Sequence, residues 1–233
     1  MSLDHSMPLT VENTPVYDPA IRQSADADLT GRPQSVSSIL AGTPITTDKG
    51  ELPVEFLQPG DFVMTKDAEF VPLRGIGSYT VSRWDMIRQP ELRPIVFPKD
   101  SIGNDTELRF CGMHRVFLTS IFADMIFGTP DVLAPARSCV GHLGIYEDAR
   151  KRPPQYFQLL LDRHELIGSA GAWTESLFLG DVPKQTQEHP RSWIMANDFD
   201  VSQILHTETA RMTLDQKESR VLFNKMNGMA EAV

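Results

Sequence analysis

The sequence predicts a compact all-β domain. Seventeen prolines and fifteen glycines are spread along 233 residues. Breakers at such short spacing leave room for short strands rather than long helices. The runs between them are rich in β-branched and aromatic residues, and several alternate. No strand–helix–strand rhythm appears, so the strands are expected to pair antiparallel.

The elements follow in order. Residues 1–35 are polar, interrupted by prolines and without a period, and are expected to form a flexible arm. Residues 36–182 hold the β domain. "SSILAGTPITTDKGELPVEFLQPGDFVMT", Ser37 to Thr65, reads as a strand, a turn at Asp48-Lys49-Gly50, and a second strand closing at Pro59-Gly60-Asp61. "VPLRGIGSYTVS" is a strand pair broken by glycine, and "LRPIVFP" a short strand ended by proline. "ELRFCGMHRVFLT" is apolar and β-branched toward its end, and "DVLAPARSCV" follows a Gly-Thr-Pro-Asp turn. "QYFQLLLDRHELIGSAG" reads as two strands around Asp162-Arg163-His164. Residues 183–233 change character and form a partly helical C-terminal extension. Ile204, Leu205, Met212, Leu214, Val221, Leu222 and Met226 give it a patchy apolar stripe. Trp84, Trp173 and Trp193 are expected to serve packing.

The bulk numbers exclude several functions. A net charge of −9 and a pI near 5.1 speak against nucleic acid and against an anionic membrane surface. No apolar run approaches the roughly 20 residues that span a bilayer. The start, MSLDHSMPLT, shows no secretory leader, and two cysteines make no disulfide framework, so the cytoplasm is the expected compartment. "GIGSYT" lacks the spacing and the Lys-Ser/Thr of a phosphate loop.

Four blocks could carry chemistry. Two serines, Ser37 and Ser38, stand before the first strand. Cys111-Gly112-Met113-His114 supplies a histidine suited to proton transfer near neutral pH. Asp162 and His164 alternate, so in a strand they share a face, while a charged hairpin tip is an equal reading. Cys111-x-x-His114 and Cys139-x-x-His142 hold two pairs of nitrogen and sulfur ligands, which could build a zinc site if they converge.

The opening "SILAGTPITTDKGELPVEFLQPGDFVMT", with "CGMHRVFL", "APARSC" and "LLLDRHELIGSAGAWTES" following in order, resembles the Hint domain family of inteins and Hedgehog autoprocessing domains. The nearest pattern is a bacterial Hint subfamily common in alphaproteobacteria. The resemblance covers residues 38–180 and implies a horseshoe-shaped, intein-like β fold. It also implies autocatalytic chemistry on the chain's own N-terminal segment, in cis and without a cofactor. The family nucleophile lies four residues before the glycine of Gly42-Thr43, at Ser38. There a hydroxyl replaces the usual thiol and would attack the Ser37 carbonyl by an N-to-O acyl shift. His114 would act at the departing amide, Cys111 stands where a hydroxyl usually orients that amide, and Asp162 or His164 would tune the site. Splicing inteins end in His-Asn; this chain has Thr174-Glu175-Ser176, so cleavage without splicing is implied. The competing expectation is a Hint scaffold without catalysis, used as a binding module and possibly stabilised by zinc.

Overall fold

The computed structural model describes residues 37–149, 152–181, 194–195, 204 and 206–230. The arm expected over residues 1–35 lies outside these, as do Trp193 and Leu205. The chain folds into two antiparallel-dominated sheets, as its composition leads one to expect. Its strands are β1 (Ile39–Leu40), β2 (Pro44–Thr47), β3 (Gly50–Pro53), β4 (Phe62–Thr65), β5 (Glu69–Pro72), β6 (Gly75–Thr80), β7 (Pro94–Phe97), β8 (Leu108–Cys111), β9 (Arg115–Thr119), β10 (Asp131–Pro135), β11 (Tyr146–Glu147), β12 (Gln155–Leu160), β13 (Leu166–Ser169), β14 (Ala172–Glu175), β15 (Ile194–Met195) and β16 (Met212–Thr213).

One sheet has seven strands in the order β11-β7-β8-β1-β12-β6-β15; the other has nine, in the order β16-β10-β9-β14-β13-β4-β2-β3, with β5 paired to β4. The two-residue strand β1 therefore sits inside the first sheet, between β8 and β12, with Ile39 opposite both Phe110 and Phe157. Its odd and even positions face two different clusters. Ile39, Phe110 and Phe157 belong to the main apolar core, whereas Leu40 packs with Tyr79, Cys111 and Tyr156 in a smaller one. That alternation is the ordinary consequence of the pleat.

Gly42 makes the step from β1 to β2 possible. Its φ of 85° lies in the left-handed region, and its N–H donates to the Glu55 carboxylate at 2.7 Å.

Two helices inside the β domain were not expected. Helix α1 (Arg83–Arg88) is started by a capping box between Ser82 and Asp85, and α2 (Ile121–Phe127) is capped by Ser120 and ended by left-handed Gly128. Both are too short to show a period in the sequence. Trp84, expected to pack, is 73% exposed on α1. The extension holds a short strand as well as a helix. Met212 and Thr213 form a strand parallel to β10, and helix α3 begins only at Gln216 and runs to Ala230. Ile204, Leu214 and Leu222 are buried, but Met212 and Val221 are exposed. Among the described residues no helix is long and apolar enough to cross a membrane.

Candidate functional site

The serine pair continues the line of β1 into the interior, and both residues are buried. The Cys111 N–H donates to the Ser38 carbonyl at 3.0 Å, extending the β1–β8 ladder by one step. Continuing the register of β12 places Gln158 opposite Ser38. The Ser38 hydroxyl accepts from Gln158 Nε2 at 3.2 Å and from the Tyr79 hydroxyl at 3.0 Å. Burial raises the Tyr79 phenol well above its ordinary range, so it stays protonated as a donor.

Ser37 points the other way. Its Oγ lies 2.6 Å from His114 Nδ1. The β8–β9 turn delivers this histidine, with the His114 N–H closing on the Cys111 carbonyl at 3.0 Å. The turn needs glycine at 112, because a Cβ there would stand 2.7 Å from the Glu91 carbonyl oxygen. The imidazole stacks on Phe110 with centroids 4.6 Å apart, and its Nε2 meets the Thr174 hydroxyl. Thr174 Oγ1 also reaches the Arg115 carbonyl at 3.4 Å. With its proton on Nε2, toward Thr174, the neutral ring presents Nδ1 as acceptor to the Ser37 hydroxyl. Burial pushes His114 down to about 4, against the opposing pull of the Glu175 charge, so the ring is neutral at pH 7.

Behind this pair lies a buried ionic cluster. Glu175, next to Thr174 on β14, accepts from the Arg115 N–H at 2.7 Å and from Arg115 Nη1 at 2.9 Å. It also accepts from His164 Nε2 at 3.2 Å. The other nitrogen of His164, Nδ1, accepts from the Ala210 N–H at 2.9 Å, which fixes the tautomer. Arg115 Nη2 also contacts Asp181. Burial alone would raise the Glu175 carboxyl, but the His164 hydrogen bond and the Arg115 charge overcome it and hold the group at about 2.

Residues 37–181 match the model of the Hint domain family, more than half of the chain. The chain belongs to the Hint domain family. No curated protein matches it. Among solved structures, this Hint domain is similar to a GSH-linked, splice-inactive variant of the AceL NrdHF class 3 split intein. The identity is 12%, over 60% of this chain and 96% of that one, with a TM-score of 0.39. It is also similar to a bacterial intein-like domain from Clostridium thermocellum, at 10% identity over 60% and 97% of the two chains, with a TM-score of 0.38.

The Hint domain does not gather all the residues singled out in the sequence. His114 stands at the serine pair, but beside Ser37 rather than Ser38. Cys111 is beside Ser38 through the backbone only; its thiol donates to the Glu91 carbonyl at 3.5 Å, and burial pushes it up to about 11. Asp162 lies at the surface in a two-pronged pair with Arg74, at 2.7 to 3.0 Å. His164 faces inward, to Glu175. The two Cys-x-x-His pairs do not converge. Cys139 donates to the Pro135 carbonyl at 3.7 Å, and His142 stacks on Phe223 at 4.6 Å. Among the described residues no three His, Cys, Asp or Glu side chains are grouped to hold a metal ion.

Sequence reasoning missed Tyr79, Gln158, Thr174 and Glu175 as members of the site. The register of antiparallel strands brings them in from distant segments, and no local spacing announces them. The one signal present was the pair of blocks "DRHE" and "TES", which meet in space as His164 and Glu175.

Proposed function

We propose that this Hint domain breaks a peptide bond of its own chain at the serine pair by an N-to-O acyl shift, releasing the N-terminal segment in cis without splicing. The observation that carries this reading is the buried, neutral His114, whose Nδ1 lies 2.6 Å from the Ser37 hydroxyl at the start of the family match. A hydroxyl is a weak nucleophile at its own pKa and needs a base at hydrogen-bond distance. A buried histidine with its second nitrogen anchored on Thr174 is such a base, and it can return the proton to the departing amine. The ester so formed is open to water or to another nucleophile. The family resemblance, by its spacing from Gly42-Thr43, implies Ser38 as the attacking residue, whereas the hydroxyl beside His114 is that of Ser37. His164 acts on the site through Glu175, whereas Asp162 is engaged with Arg74 at the surface. Splicing needs an asparagine to cyclise, and Glu175, which cannot, occupies the end of the domain with its carboxylate held by three donors.

The test is the intact mass of the full chain during incubation with hydroxylamine, which traps an ester, beside the variant His114→Ala. The parent loses its N-terminal segment and the variant keeps it. A parent mass that never changes overturns the proposal.

A further inference from the structure

The geometry points to Ser37, not Ser38, as the hydroxyl that His114 activates, which moves the broken bond one residue upstream to Val36–Ser37. This inference rests on the acyl-shift reading above and assigns its nucleophile.

Three features support it. The first is strand alternation. Ser38 lies on the face of Leu40, Cys111, Tyr79 and Tyr156, and Ser37 on the opposite face, that of Ile39 and Phe110. His114 stacks on Phe110, so it shares the face of Ser37. The second is the division of hydrogen bonds. Gln158 and Tyr79 both donate to the Ser38 oxygen, which engages its two lone pairs and lowers its power to attack a carbonyl. The Ser37 oxygen instead stands 2.6 Å from His114 Nδ1, where a base must lie to take the proton of an attacking hydroxyl. The third is anchoring. Ser38 is fixed at both its carbonyl and its side chain, by Cys111, Gln158 and Tyr79, and therefore serves as the clamp that holds Ser37 in register.

The step balances within one residue and one histidine. The Ser37 O–H proton passes to His114 Nδ1. Oγ bonds to the carbonyl carbon of Val36, and the bond from that carbon to the Ser37 nitrogen breaks. The proton on Nδ1 goes to that nitrogen, which leaves as the α-amine of Ser37. The product is an ester between the Val36 carbonyl and Ser37 Oγ. No oxidant, reductant or co-reactant is consumed until water or hydroxylamine opens the ester.

The experiment is residue-level mass analysis of the product from the full chain treated with hydroxylamine, run on the parent and on Ser37→Ala, Ser37→Cys and Ser38→Ala. The expected product begins at Ser37. It is lost in Ser37→Ala, retained at the same bond in Ser37→Cys, and slowed but unmoved in Ser38→Ala, which lacks the side-chain half of the clamp. A product that begins at Ser38 overturns the inference and leaves the acyl-shift reading standing. A parent that releases nothing overturns both. The parent product alone identifies the bond, so the outcome does not depend on every variant folding.

Discussion

Replacing Glu175 with glutamine keeps the shape of the side chain and removes one buried charge. Two routes give the size of the effect. The Glu175 carboxyl sits at about 2 instead of 4.5. At about 1.36 kcal/mol per pH unit, that difference corresponds to about 3 kcal/mol of stability at pH 7. Breaking a buried ion pair from one side costs roughly 3–5 kcal/mol. The low end applies, because Arg115 keeps Asp181. For a chain of this size, about 3 kcal/mol lowers the melting temperature by roughly 6–12 °C. The sign in pH follows from the depressed folded value. The unfolded state binds more protons below pH 4.5, so the stabilisation is complete above 4.5 and is lost as pH falls toward about 2. Urea unfolding of the parent and of Glu175→Gln at pH 7 and pH 3 is the assay. The gap should be about 3 kcal/mol at pH 7 and less than half of that at pH 3. A gap under about 1 kcal/mol at pH 7, or one that does not shrink at pH 3, refutes the assigned charge state of the cluster.

Other outcomes follow from the same geometry. The His114 ring should titrate near 4 by NMR, and a midpoint above 6 would remove the neutral base from the mechanism. Asp162→Asn should leave the cleavage rate unchanged and cost no more than about 1 kcal/mol, as an exposed pair does; a rate loss would restore Asp162 to the site. Gly112→Ala should destabilise by roughly 1–3 kcal/mol through contact with the Glu91 carbonyl, and should slow cleavage with it by displacing His114; a normal melting curve would show that the turn has slack. Cys111 should resist alkylation at pH 8 in the folded chain and react once unfolded, since burial holds its thiol at about 11.

How far the sequence could be read depended on whether a signal was local. The turns at Gly42-Thr43 and Pro59-Gly60-Asp61 declare themselves because glycine and proline act on their own backbone, and Gly42 and Gly60 do take positive φ. The block Cys111–His114 is likewise a single tight turn, so its histidine could be located by position. The partners of that histidine could not. Thr174 is 60 residues away from His114, and the cage of Ser38 spans 41 residues to Tyr79 and 120 to Gln158. Such contacts are set by strand order, which one sequence does not state. Asp162 and His164 show the limit of counting alternation. Both fall in the bend between β12 and β13, where the pleat no longer applies, and they face different surroundings. Helix α1 escaped notice because a capping box over six residues leaves no periodic stripe.

The position of β1 has a consequence for timing. A strand of two residues near the start of the domain is held between β8 and β12, and the ionic cluster behind it reaches Ala210. A ribosome at about 5–20 residues per second spends roughly 10–35 seconds between Ser38 and Ala210. Until β8, His114 and β12 have emerged, the serine pair has neither its neighbouring strands nor its histidine in place, and the cluster behind that histidine waits longer, for Ala210. Any cut at that pair is therefore a late event: the segment ahead of it has left the ribosome, with time to fold or find a partner, before the machinery that would release it exists.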